Sequence, residues 1–124
     1  MARILIVEDN ELNRDMLSRR LQRHGFETLI AVDGPAGVAM ARAQMPDVIL
    51  MDVALGEMDG WEATTLIKSD LATADIPIIT LTAHALSSDR EKSIAVGCAD
   101  FDTKPVDIDR LLGKIHACLQ RSRP

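Results

Sequence analysis

Short runs of β-branched and aliphatic residues alternate with segments of helical spacing along the whole sequence. That alternation limits the possible folds more than any other feature. The runs fall at 3–7, 27–32, 47–51, 77–82 and, less strongly apolar, 99–103. Between them, Leu12, Met16, Leu17 and Leu21 share one helical face, as do Ala36, Ala39, Met40 and Ala43, and then Ala63, Leu66 and Ile67. The last segment is the clearest, with Ile108, Leu111, Leu112, Ile115 and Leu119 in amphipathic register. Gly25 and Gly97 stand where the first and fourth helices should stop. Gly34-Pro35, Met45-Pro46 and Ile76-Pro77 punctuate further boundaries. Short apolar strands separated by helices define an α/β protein with a parallel sheet covered on both faces.

Composition narrows the function classes. The 124 residues are expected to form one domain. The 14 Lys and Arg against 19 Asp and Glu leave a net charge of −5, which argues against general nucleic-acid binding, where phosphate contacts need excess cations. Phe26, Trp61 and Phe101 are too few for a stacking platform. No apolar run approaches the roughly 20 residues of a membrane span, and no export signal opens the sequence. Cys98 and Cys118 form no CxxC pair and read as small apolar side chains of a reduced, cytoplasmic protein. His24, His84 and His116 lack ligand spacing and read as surface residues; Trp61 reads as a packing residue at the start of the third helix. Arg121-Ser122-Arg123-Pro124 reads as a frayed helix end.

The carboxyl ends of the strands carry the chemistry, because ligands of open α/β sheets bind there, where the strand order reverses. The first strand ends in Glu8-Asp9, the third in Asp52, the fourth in Thr82-Ala83 and the fifth in Lys104-Pro105. In a doubly wound sheet of order 2-1-3-4-5, the first and third strands are neighbours, which brings Glu8, Asp9 and Asp52 together. Three carboxylates repel unless a cation sits among them. Oxygen ligands of this kind suit a hard divalent ion, and Mg²⁺ uses one or two carboxylates together with water and phosphate oxygens. Lys104 adds a point charge and Thr82 a hydroxyl donor. These are the parts of phosphoryl transfer, which depends on positioning and charge neutralisation. Each part alone has an ordinary explanation: a charge at a helix N-terminus, a turn aspartate, a strand threonine, a Lys-Pro turn. Their joint placement at strand ends does not.

In that order, Val7-Glu8-Asp9, Met51-Asp52, Leu81-Thr82-Ala83 and Thr103-Lys104-Pro105 resemble the CheY-like receiver domain of two-component response regulators, from Ile4 to about Leu119. The stretch Ile6-Val7-Glu8-Asp9-Asn10-Glu11-Leu12-Asn13 is most similar to stand-alone regulators of the DivK type and to receivers attached to hybrid kinases. The resemblance implies a (βα)5 flavodoxin-like fold. It implies that Asp52 accepts a phosphoryl group from a phosphohistidine of a histidine kinase or phosphotransfer protein. It further implies that Asp9 and Asp52 hold Mg²⁺ with the backbone carbonyl of Ala54, that Glu8 reaches the metal through water, and that Lys104 contacts a phosphoryl oxygen. Thr82 would then move to bond the phosphoryl group, Phe101 would turn inward behind it, and the bond from Lys104 to Pro105 would be cis. The surface formed by residues 87–121 would change its affinity for a downstream protein, and residues 10–21 would dock the phosphodonor. The expectation is a single receiver domain over residues 1–124 with no output domain, a monomer or weak dimer, acting as a self-phosphorylating switch without separate substrate turnover.

Two departures from the family pattern stand out, beside two positions that set phosphoryl lifetime. Gly56 replaces the usual proline in the loop after Asp52, Phe101 replaces tyrosine, and Ala54 and His84 fill positions that tune phosphoryl lifetime. Other function classes fit less well. A haloacid-dehalogenase-like phosphohydrolase needs a second aspartate where Ala54 stands. A dinucleotide or flavin binder lacks its glycine-rich loop, and Glu8 and Asp9 would repel a phosphate there. A phosphorylation-independent docking module would not need the complete acidic and basic set. A relay shuttle and an allosteric effector both remain open within the family.

Overall fold

The computed structural model describes residues 2–83 and 87–122. Strands and helices alternate strictly: β1 (Arg3–Val7), α1 (Glu11–Arg23), β2 (Glu27–Ala31), α2 (Gly34–Gln44), β3 (Val48–Asp52), α3 (Gly60–Ser69), β4 (Ile78–Thr82), α4 (Ser87–Ala95), β5 (Asp100–Thr103) and α5 (Ile108–Ser122). The strands form one sheet in the order β2-β1-β3-β4-β5, with every pair parallel. The register is what builds the site. Val7 lies level with Met51, so the next residues, Glu8 and Asp52, emerge side by side. Asp52 lies level with Leu81, and Thr82 with Thr103.

The inner strands read as continuous apolar runs because both of their faces are buried. On one face, Ile4, Ile6, Val48, Leu50, Ile79 and Leu81 pack against Leu17 and Leu21 of α1 and Leu111, Leu112 and Ile115 of α5. On the other, Leu5, Val7, Ile49, Met51 and Ile78 meet Ala41 of α2 and Ala63 and Ile67 of α3. Asn10, Asp33 and Asp59 cap α1, α2 and α3, each side chain accepting a backbone N–H three residues on. Gly25 and Gly97, with φ of 88° and 97°, follow α1 and α4 in the left-handed conformation that the sequence spacing predicts.

Helix faces depart from the sequence spacing in two places. Leu17 and Leu21 are buried, but Leu12 is 79% exposed and Met16 40%. The first turn of α1 begins beyond the end of β1, which leaves Leu12 in solvent. In α2 the buried side is Gly34, Gly37 and Ala41, while Ala39 and Ala43 face solvent. The helix turns its glycines inward because it lies close to the sheet: a Cβ on Gly37 would come within 2.8 Å of the Val7 side chain. Leu66 of α3 is likewise 44% exposed, and Thr64 takes the buried position beside Ala63.

α4 is attached differently. Among its described side chains only Ser93 is buried, and Ile94 is largely exposed. The Ser93 hydroxyl lies 2.8 Å from that of Thr80 on β4 and accepts a hydrogen bond from Trp61 Nε1 at 3.2 Å. Lys92 sits over the Trp61 ring, 4.3 Å from its centroid. α5 is joined to β5 by charge as well as by apolar packing. Buried Asp102 accepts from Arg110 Nε at 2.8 Å, with Lys114 Nζ at 3.8 Å, and Lys114 also donates to the Phe101 carbonyl. α5 runs to Ser122; the rest of the end expected to fray, residues 123 and 124, lies outside the described residues. Cys118 is buried, and Cys98 is half-buried with its thiol pushed up to about 11 by burial, which leaves it unreactive as a nucleophile.

The loop between β3 and α3 returns across the end of β3 so tightly that a Cβ on Gly60 would overlap the Asp52 carbonyl oxygen and approach Val53 Cα to 2.9 Å. Gly56 in the same loop has open space around it. Gly60→Ala should therefore destabilise the protein by about 1–3 kcal/mol, whereas Gly56→Ala should be neutral or slightly stabilising. Thermal unfolding of the two variants checks the contrast; equal melting temperatures would refute the tight-loop account.

Candidate functional site

The site lies at the carboxyl end of the sheet, between β1 and β3. Asp52 is the last residue of β3 and only 2% exposed; Glu8, just past β1, is 4% exposed. Asp9 follows on the exposed side. One carboxylate oxygen from each of Glu8, Asp9 and Asp52 lies within 4.8 Å of the other two. Lys104, just past β5, reaches over β4: its backbone N–H donates to the Thr82 carbonyl at 2.8 Å, and its Nζ lies 3.0 Å from Asp52 Oδ2 and 3.4 Å from Glu8 Oε1. The bond from Lys104 to Pro105 is cis. Ala54 N–H donates to the other Asp52 oxygen, Oδ1, at 3.1 Å.

These contacts leave the cluster short of positive charge. Burial pushes the Glu8 carboxyl up to about 7; its hydrogen bond and charge contact with Asp52 push the same way, while Asn13 and Lys104 oppose the rise. Burial works against the charged form of Lys104, but its hydrogen bond to Asp52 and the charges of Asp52 and Glu8 outweigh it and hold the ammonium above its ordinary value. One ammonium faces three carboxylates. All the offered donors are hard oxygens, at a spacing that one small ion can bridge, so the residues fit a divalent cation of the Mg²⁺ type.

Thr82 ends β4, buried, and donates from Oγ1 to Asp89 Oδ2 of α4 at 3.2 Å. Phe101 on β5 is half-buried, its ring centroid 5.3 Å from Lys114 Nζ and 5.9 Å from Arg90 Cζ. The structure thus brings Glu8, Asp9, Asp52 and Lys104 together, and sets Thr82 and Phe101 on the neighbouring strands. His84 lies outside the described residues. Asn13, whose Nδ2 donates to Glu8 Oε1 at 3.0 Å, Arg14, which bonds the Glu8 carbonyl at 3.0 Å, and Asp89 carry contacts that the sequence reading gave no role. Their signal was a polar side chain in the first turns of a helix beginning at the acidic end of the sheet.

Comparison with known proteins agrees with this geometry. The family model of the response regulator receiver domain matches residues 4–116. Protein PilH of Pseudomonas aeruginosa is 40% identical over 119 residues, covering 96% of this chain and 98% of PilH. The polar-differentiation response regulator DivK of Brucella anthropi is 36% identical over 116 residues, covering 94% of each. Among solved structures, the receiver domain of the sensor histidine kinase PA1611 from Pseudomonas aeruginosa, described with a magnesium ion coordinated in its active site cleft, superposes with a TM-score of 0.89 at 34% identity over 96% of this chain and 98% of that one. Vibrio cholerae chemotaxis protein CheY4 superposes with a TM-score of 0.91 at 31% identity, covering 96% and 99%. The chain belongs to the response regulator receiver domain family of two-component signalling. Members are signalling switches that interact with histidine kinases and downstream targets. Among the described residues, no helix is long and apolar enough to cross a membrane.

The raised Glu8 carboxyl has a consequence for stability. Between the ordinary value of 4.5 and the folded value of about 7, the folded protein retains a proton that the unfolded chain has released, so folding loses stability as pH rises through that window. Glu8→Gln should gain stability over the wild type across this range, by on the order of 1–2 kcal/mol, with no further gain above it. Thermal unfolding in chelator at stepped pH measures this; a gain independent of pH would sink it.

Proposed function

We propose that Asp52 is a phosphoacceptor and that its phosphorylation is the input to a protein–protein switch. The observation that carries this reading is the buried Asp52 carboxylate, with Lys104 Nζ 3.0 Å from one oxygen and two further carboxylates beside it. An Asp52 oxygen attacks the phosphorus of a phosphohistidine. The O–P bond forms, the P–N bond breaks, and the imidazole leaves with the electron pair. Glu8, Asp9 and Asp52, with the Ala54 carbonyl, would hold Mg²⁺, which when bound supplies positive charge to the phosphoryl oxygens. Lys104 keeps its proton and neutralises a further share of the charge that develops.

Once attached, the phosphoryl group offers acceptor oxygens to the Thr82 hydroxyl. Thr82 and Phe101 respond together, and the surface of α4, β5 and α5 changes its affinity for a partner protein. Phosphorylation acts only through its preference for one of two states of that surface. Exposed Leu12 and Met16, with the arginines of α1, form the docking side for a histidine kinase or phosphotransfer protein.

Intact mass after incubation with Mg²⁺ and a small phosphodonor tests the reading. The wild type should gain one phosphoryl group, Asp52→Asn none, and chelation should suppress the gain by at least tenfold. A wild type that gains nothing, or an Asp52→Asn that gains equally, would refute it.

A further inference from the structure

The Thr82 hydroxyl, assigned above to the phosphoryl group, already has an acceptor: Asp89 Oδ2 on α4, at 3.2 Å. We propose that Asp89 is the resting-state acceptor of the Thr82 proton, a positioning residue that keeps β4 bonded to α4 until a phosphoryl group on Asp52 takes the bond over. The inference rests on Asp52 being the phosphoacceptor.

The argument begins with spacing. Thr80 and Thr82 are two apart on a strand, so they share one face and stand about 6.6 Å apart. Asp89 and Ser93 are four apart on a helix, so they share one side at a rise of about 6 Å. The two spacings match, and α4 runs back along β4. Thr82 meets Asp89 and Thr80 meets Ser93, which makes two polar rungs between the strand and the helix.

The rungs differ in environment. Ser93 is 1% exposed and Thr80 fully buried, and Trp61 of α3 holds the same Ser93 oxygen. That rung is fixed from two sides. Asp89 is half-buried, and its partner Thr82 is the last residue of β4. Because the described part of α4 buries no large apolar side chain, the hydrogen bonds carry much of its attachment. A threonine hydroxyl has one proton to donate. A phosphoryl oxygen that takes it from Asp89 therefore opens the upper rung and leaves α4 held at Ser93.

Two measurements test this. The first uses metal-free, unphosphorylated protein and reads amide exchange across residues 89–95 in wild type, Thr82→Ala, Asp89→Ala and the double variant. Each single change should speed exchange on the order of fivefold, and the double should add nothing further. Additive effects, or none, would overturn the proposal. The second follows Trp61 emission, the sole indole, during titration with beryllofluoride and Mg²⁺. Asp89→Ala should bind on the order of fivefold tighter than wild type. Asp89→Asn, whose amide oxygen still accepts the Thr82 proton, should stay within about twofold of wild type. If Asp89→Asn matched Asp89→Ala, charge repulsion would be the cause and acceptor competition would be refuted. A wild type that gains no phosphoryl mass would instead overturn the Asp52 reading and the takeover with it, a failure that intact mass separates from the others.

Discussion

The contact between the Lys104 ammonium and Asp52 holds the acidic end of the sheet together. Three carboxylates within 4.8 Å of one another could not all stay ionised without a cation. Lys104 supplies it from the far side of β4, which requires β5 to stand in register and its backbone to bond the Thr82 carbonyl. The order β2-β1-β3-β4-β5 therefore serves the charge balance as well as the hydrophobic core. Lys104 does not cancel the whole effect: burial first, and then the neighbouring Asp52, still hold the Glu8 carboxyl above its ordinary value.

Much of this was legible in the sequence, for a physical reason. A parallel strand buried on both faces has to be apolar until it ends, so the first polar residue after each run marks the ligand-binding edge. Glu8 and Asp52 declared themselves in this way; Thr82 and Lys104 follow strands that already carry polar residues, Thr80 and Asp102, and were found by their place at the strand ends, whose boundaries agreed within a residue or so. Helix faces were less legible. Periodicity counts apolar side chains, but α2 buries Gly34 and Gly37, which have none to count, and the first turn of α1 begins beyond the end of β1. Asn13 and Asp89 left only a weak signal, a polar side chain near a helix start, because their roles depend on which oxygen lies within hydrogen-bond distance once the chain is folded.

The molecule is built in two ways. The helices α1, α2, α3 and α5 are fastened mainly by apolar burial, to which α5 adds ion pairs with Asp102, away from the acidic cluster. Among the described residues, α4 is fastened by hydroxyl, carboxylate and indole contacts, which are directional. Elements with few buried apolar contacts open at lower free energy than the rest of a structure. A charge change at one end of the sheet can thus move one helix while the core stays intact.

The seating of α5 has a consequence of its own. Asp102 is 2% exposed, yet its partner Arg110 is 45% exposed on the side-chain scale. Lys114 is shared among Asp102, the Phe101 carbonyl and the Phe101 ring. Dissolved ions screen a cation that touches water, so the ionic part of the hold of α5 on Asp102 weakens with salt to the extent that Arg110 is exposed, while the apolar contacts of the same helix do not.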